Sequence, residues 1–428
     1  MNLTQLTELV KASGADAWQI TQVLREGMEF YFIRQALDQN RFVETNHTTV
    51  RLFKELDGGQ AIGSASEEIP PTASKEEAQE LLASLLGRAS YASNPYYTLN
   101  APAEPVSASG QKAPDVAQVA KTFLETMRSI PASDEACLNS YEIFANVKTV
   151  RLLNSRGVDL TAVYPDSMLE VVVNANRGEK EIELYRISRM GSCDAAELKR
   201  SLAETMRIGQ DRLRAQPMPK LGNIPVLFTS ADVKELAGFF ISRMSASFKK
   251  RGYSDWEIGK PLFDGKMQTP LSLETKLFLP NSSCNRFFDE EGALRRDAVL
   301  IRAGVPECFL GDRQFSCYLG LENSFQPGNY TLSGGTESEE ALRTGDYLEA
   351  VEFSDFQTDA LSGSLGGEIR LAYWHHDGVT TPVTGGSISA SMLENAASMR
   401  MSKELRQYDN MEVPAAIRLE NVSVTGIE

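Results

Sequence analysis

The sequence predicts an α+β protein, with an N-terminal domain of strand meanders and packed helices and a C-terminal β-dominated domain with few helices. Three observations carry this. Residues 1–220 twice run a series of alternating or β-branched segments into an amphipathic helix. Residues 216–222, QPMPKLG, form a Pro- and Gly-bearing break. Beyond it, short apolar segments set off by Gly and Pro turns replace helical periodicity. A chain of 428 residues also exceeds one ordinary core, so domains at 1–220 and 221–428 are expected.

Residues 4–12 read as a short helix, with Leu6, Leu9 and Val10 on one face. Strands follow at 17–24, 30–37, 41–45 and 48–56, with a turn at Asp38, Gln39 and Asn40. Gly58 and Gly59 turn the chain into a strand at 60–66. The helix at 74–90 has Ser74 to cap it, Glu77 three residues on, and Ala78, Leu81, Leu82, Leu85 and Leu86 inward. Residues 101–114, APAEPVSASGQKAP, have the composition of an exposed linker. A helix at 116–127 precedes two strands within 138–153, a tight turn at 154–157, and strands at 158–164, 168–175 and 181–189. The helix at 194–214 turns Leu198, Leu202, Met206 and Leu213 inward.

After the break, Val226, Leu227 and Phe228 form a buried strand, and Thr229 and Ser230 are placed to cap the next helix, with Asp232 in its first turn. Val233, Leu236, Ala237, Phe240, Met244 and Phe248 mark one face of a helix of about 16 residues. Lys249, Lys250 and Arg251 complement its C-terminal end, and Gly252 ends it. Strands are expected at 271–279, 298–302, 305–310, 346–353, 366–374, 380–391 and 415–425, with one late helix at 393–405.

The balance of 43 basic and 58 acidic residues gives a net charge of −15. Such a surface repels nucleic-acid phosphates and anionic membranes unless a basic patch is segregated, and no long Lys/Arg cluster occurs. Neither a nucleic-acid partner nor a membrane partner is expected. The five cysteines are widely spaced and free of CxxC, as for free thiols in a reducing compartment. The first residues lack the basic and apolar regions of a signal peptide, and no apolar run approaches the roughly 20 residues that span a bilayer. A cytoplasmic location is expected.

Residues 58–64, GGQAIGS, have the outer glycines of a phosphate loop but no Lys before the Ser, so a hairpin turn is the better reading. Residues 362–367, SGSLGG, do not open a helix and read as a glycine-rich turn. No GxSxG elbow occurs, and the chain has only three histidines, His47, His375 and His376. His47 lies in an expected hairpin. His375, His376 and Asp377 form the one metal-like constellation. Adjacent strand residues point to opposite faces, however, and Asp377-Gly378 reads as an exposed hairpin turn. The acidic runs Asp289-Glu290-Glu291 and 337–340 read as solvated turns or faces.

The order of several segments resembles the TldD/PmbA (TldE) family, peptidase family U62, historically "modulator of DNA gyrase". The resemblance runs from about Ala15 to Glu428 and rests on QAIGSAS at 60–66, LNSRGV at 153–158, GNIPVLF at 222–228 and FKKRGYSDW at 248–256. It continues through 289–292, GVPECFLGDRQ at 304–314, YWHHDGVTTPV at 373–383, 387–393 and IRLENVSVTG at 417–426. It implies a cytoplasmic α+β protein. TldD-type members carry HExxxH on the helix after the strand, bind zinc and hydrolyse peptides, while PmbA/TldE-type members lack that motif and pair with a TldD-type subunit. Here the resemblance assigns the HExxxH positions to about Ala237, Gly238 and Ser242, none of which binds zinc or acts as a base. The family's glycine-rich late strand falls at about 362–367, without a cysteine. The implied protein is a non-catalytic, metal-free subunit of a TldD/TldE-type metalloprotease assembly. It has no catalytic residue and no cofactor of its own, and zinc sits in a TldD-type partner. Its expected partners are that subunit, a second copy of itself, and a peptide or unfolded-protein substrate. The alternatives are a stand-alone hydrolase using His375, His376 and Asp377, and a non-enzymatic binding or regulatory protein.

Overall fold

The computed structural model describes residues 1–103, 114–133 and 135–427. The linker expected at 101–114 falls outside the described residues except at its ends. The fold is α+β, with three sheets among the described residues. The strands of the first sheet all come from residues 17–190, and those of the other two from residues 216–425.

The first sheet is an eight-stranded antiparallel meander. Its order runs Asn94–Pro95, Ala61–Glu68, Ala36–Leu56, Ala17–Ile33, Ala136–Asn154, Ser167–Arg177, Lys180–Met190, with Asp159–Pro165 also paired to Ala136–Asn154. Strand alternation puts Ile20, Val50 and Leu52 on one face, where they meet Leu82 and Leu85 of helix Lys75–Ala89. Phe32, Tyr141, Leu169 and Val171 meet Phe123 of helix Val116–Arg128 and Leu198 and Leu202 of helix Ala195–Arg214. Ser74 and Glu77 form the expected capping box, and Asp115 and Asp194 cap the two later helices.

The second sheet closes on itself. Tyr347–Thr358 pairs with Gly222–Phe228, then come Ile417–Thr425, Ser387–Ser391 and Ser364–His376, which returns to Tyr347–Thr358. The third sheet has six strands, Val305–Pro306, Ala298–Arg302, Ser272–Lys276, Asn329–Ser333, Met411–Pro414 and Leu405–Tyr408. Leu273, Ile301 and Leu332 of the third sheet share one buried core with Val226, Leu348 and Ile369 of the barrel.

Several local expectations are corrected. The first hairpin turns at Arg34, whose φ is 55°, and not at residues 38–40, which stay in strand opposite residues 30 and 31. The polar run Asp38-Gln39-Asn40 imitates a turn because this stretch of the arm is exposed on both faces. Residues 138–153 lie within one 19-residue strand, Ala136–Asn154, with a bulge after Leu138, and not in two strands. The strand expected at 380–391 is two, split by Gly385 and Gly386 at φ 83° and 73°. The late helix at 393–405 shrinks to Met392–Asn395. Its periodic Met392, Ala396, Met399 and Met401 are all buried, but the chain after Asn395 is tied to the barrel as strand Arg400–Met401. All five cysteines are free.

The two parts of the chain share a core. Val351 and Leu371 of the barrel lie in the cluster built on Leu198, Leu202 and Ile208 of helix Ala195–Arg214. On the same helix Arg207 and Asp211 both bond the Tyr373 hydroxyl. Asp289 and Glu291, expected as a solvated turn, are drawn in as well, Asp289 buried and Glu291 half-buried. Asp289 accepts the backbone N–H groups of Glu291, Ala293 and Gln326. Glu291 accepts from the Arg313 N–H at 2.6 Å, and the Arg313 guanidinium reaches back to the Thr98 carbonyl at 2.7 Å.

Gly209 sets how closely helix Ala195–Arg214 approaches the first sheet, since a Cβ there would lie 2.8 Å from the Ala175 Cβ. Gly209→Ala is expected to lower unfolding free energy by about 1–3 kcal/mol through overpacking, despite the better helix propensity of Ala. Urea denaturation checks this, and a gain in stability would contradict the close approach.

Candidate functional site

The strand Gly222–Phe228 delivers the chain into helix Val233–Arg243. Thr229 does not cap it. Its hydroxyl donates to Glu349 at 3.0 Å. The Ser230 hydroxyl accepts the Asp232 N–H and donates to the Asp232 carboxylate at 2.8 Å, forming a turn before the first helical residue. Burial pushes the Asp232 carboxyl up from its ordinary value.

The expected single helix breaks at Met244. A second helix, Ala246–Lys250, starts at its Ser245 cap. The break follows from a backbone bridge between Ser245 and Leu310, in which the Ala246 N–H donates to the Leu310 carbonyl at 2.9 Å. Gly252, at φ 75°, ends the second helix as expected.

Of the three positions that the sequence singled out, Ala237 is fully buried with Leu236, Phe239 and Phe240. Gly238 is half-buried with nothing within 4 Å of the place a Cβ would occupy, and Ser242 is half-buried one turn on. A methyl, a hydrogen and a lone hydroxyl offer no imidazole, thiolate or carboxylate, so these residues do not fit a zinc ion. The residue that sequence reasoning missed is Arg243, 4% exposed. Its guanidinium lies 5.4 Å from the Phe239 ring and 5.2 Å from the Trp256 ring, pairs with Asp255 at 2.6 Å, and donates to the Ala360 carbonyl at 3.2 Å. A single cation on the apolar face at the helix end was the signal available.

Arg243 thereby ties this helix to the glycine-rich segment. Gly363 turns at φ 76°, but residues 364–367 lie in strand Ser364–His376, which corrects the reading of the whole stretch as a turn. A Cβ at Gly367 would lie 2.7 Å from the Asp355 carbonyl, where strand Tyr347–Thr358 bulges. Beside the bulge is an open cleft of about 610 Å³, lined by Ser354, Asp355, Asp359, Gly366, Gly367 and Glu368 among others, with no basic side chain. Its charge suits a cationic or hydrogen-bonding chain more than an anion.

The His-His-Asp stretch forms the expected hairpin between Ser364–His376 and Val379–Thr384, turning at Asp377 (φ 49°) and Gly378 (φ 75°). Its imidazoles separate. His375 stacks on Tyr347 at 4.3 Å and has Nδ1 3.0 Å from the Thr380 hydroxyl, and burial lowers its pKa. His376 stacks on Trp374 at 5.4 Å and pairs through Nδ1 with Asp346 at 2.7 Å, a hydrogen bond that raises its pKa. His47 pairs with Glu68 at 2.8 Å on an exposed strand. The GGQAIGS segment is a turn at Asp57–Gly59 leading into strand Ala61–Glu68.

Gly238→Ala is expected to raise unfolding free energy by about 0.5–1 kcal/mol, because the site is open and Gly is costly in a helix. Ala237→His should lower it by about 2 kcal/mol or more, since the core has no room or partner for an imidazole. Thermal or urea melts of both variants check the pair, and a neutral Ala237→His would show that the position is not packed.

No functionally curated protein sequence matches the chain. Three solved structures align over 99% of it. TldE from Thermococcus kodakarensis is 16% identical with a TM-score of 0.74, over 100% of its own chain. A protein from Thermotoga maritima described as a modulator of a DNA gyrase is 17% identical with a TM-score of 0.75, over 99% of its chain. A Bacteroides thetaiotaomicron protein of the same description is 14% identical with a TM-score of 0.73, over 98% of its chain. Residues 221–426, which hold the barrel, the third sheet and the helix described above, match the family model "PmbA/TldA metallopeptidase C-terminal domain". That match marks residues 221–426 as a C-terminal domain of the PmbA/TldD metallopeptidase family.

Proposed function

We propose that this chain is a non-catalytic, TldE-like subunit of a TldD/TldE-type metallopeptidase assembly that processes or degrades peptides in the cytoplasm. One observation carries the reading. Where a TldD-type subunit holds its two histidines and glutamate, this helix has Ala237, Gly238 and Ser242, and Ala237 is fully buried in the core. With three histidines in all, at 47, 375 and 376, none lies in the helix to supply a ligand. Zinc and the water-activating carboxylate then belong to a TldD-type partner. This chain contributes shape to the peptide cavity, and the Gly366–Gly367 furrow with its carboxylate rim is the surface best suited to an extended peptide. The division at about residue 220 fits this role, with the C-terminal domain facing the substrate.

A hydrolase centred on His375, His376 and Asp377 is disfavoured, because the two imidazoles make contacts on opposite faces of their strand. No helix among the described residues is long and apolar enough to cross a membrane. The net charge of −15 weighs against a general DNA-binding role.

The expected result is no chelator-sensitive peptide hydrolysis by the isolated chain, and hydrolysis when a TldD-type subunit is added, with the two co-eluting on size exclusion. Chelator-sensitive hydrolysis by the isolated chain, or a TldD-type subunit that neither binds it nor changes in activity, would overturn the proposal.

A further inference from the structure

The hairpin tip at residues 376–378 has a geometry that its role as a turn does not use. The His376 Nε2 lies 3.4 Å from Asp377 Oδ2. Two donors on a tetrahedral ion with bonds of about 2.0–2.2 Å are separated by about 3.4 Å, the length of the tetrahedron's edge. On the other side of the ring, Nδ1 lies 2.7 Å from Asp346 Oδ2. A carboxylate accepts only, so this contact places a proton on Nδ1 and makes Nε2, in the neutral ring, the nitrogen whose lone pair faces Asp377. The same Asp346 carboxylate accepts the Asp377 backbone N–H through Oδ1 at 3.2 Å. One residue thus fixes both the tautomer of His376 and the turn that presents Asp377. The Trp374 ring, stacked on the imidazole with planes 13° from parallel, holds its orientation. An imidazole donor backed by a carboxylate is the outer-shell arrangement typical of metal-ligating histidines.

We propose that His376 and Asp377, oriented by Asp346, form a half-site for one divalent first-row transition-metal ion, of the zinc, nickel or copper type. Ligand atoms of the three residues lie within 4.8 Å of one another, and all three side chains are exposed. One imidazole nitrogen and one carboxylate oxygen select a borderline ion over magnesium or calcium, which want an all-oxygen set. The chain fills two positions, and the remaining positions face solvent, open to water or to a donor from another molecule. His375 takes no part, since its ring is stacked on Tyr347. The site is independent of the helix at 233–243 and of any subunit role.

Isothermal titration of the full chain with zinc chloride and nickel chloride, and with magnesium chloride as the contrasting ion, tests this. One zinc or nickel ion per chain and no magnesium uptake is the expected result. His376→Gln and Asp377→Asn should each weaken binding by at least about tenfold, and Asp346→Ala by about tenfold through loss of the orienting contact. His47→Gln should bind as the unaltered chain does, because its imidazole faces only Glu68. Nickel should also quench Trp374 fluorescence, and Trp374→Phe should remove that quenching while retaining the titration. No uptake at millimolar zinc or nickel, or unchanged uptake by His376→Gln, would overturn the assignment. These side chains are exposed, so circular dichroism should show each variant folded.

Discussion

Packing of one helix against two surfaces at once holds the rest of the molecule in register. Ala195–Arg214 buries Leu198, Leu202 and Ile208 against the first sheet and meets Val351 and Leu371 of the barrel in the same cluster. Each such side chain contributes about 1.5–3 kcal/mol when fully removed from water. The contact is possible because Gly209 lets the helix backbone approach Ala175. Polar groups then fix the angle. Tyr373 is held by Arg207 and Asp211, and Glu352 pairs with Arg186. Because the hairpin of Tyr373 continues into His375 and His376, this helix also sets the base from which the hairpin tip projects.

The elements that were legible in the sequence are those whose pattern and packing agree. The helices at 75–89 and 195–214 carry one apolar face and a capping side chain, and both appear within a residue or two of expectation. The barrel strand 222–228 ends in the apolar run Val226-Leu227-Phe228, and 417–425 alternates apolar with polar residues. Where tertiary contacts outvote local pattern, the reading fails. Ser245 leaves its helix for a bridge with Leu310, a residue 65 positions away whose pairing no local periodicity reveals. Met392, Ala396 and Met399 have helical spacing because a buried irregular segment must also point side chains inward. Asp289 looks solvated by composition, yet three backbone N–H groups make a buried carboxylate there tolerable.

The candidate site shows the same division. That 237, 238 and 242 lack metal donors is readable from the letters alone. That Ala237 is sealed in the core while Gly238 borders open space is not, because both sit on one helix a single residue apart. Arg243 was hidden for a related reason. The apolar period carries the helix on past Arg243 to Phe248, whereas here Arg243 closes the helix, lies between two aromatic rings and reaches a loop more than a hundred residues on. The separation of His375 from His376 was readable, since strand alternation dictates it. The hold of Asp346 on both His376 and its turn was not, since it spans 30 residues.

The strand Ile417–Thr425 lies inside the barrel, between Gly222–Phe228 and Ser387–Ser391, and also pairs with Arg400–Met401. During synthesis, the first barrel strand leaves the ribosome some two hundred residues before its central neighbour exists. Until residue 425 emerges, 222–228 and 387–391 each lack one of their two neighbouring strands. The first sheet, complete by residue 190, can settle early as a folded platform, but the barrel is a late event with a high cost of loop closure. The interval in between is when this chain is most in need of shielding from its neighbours.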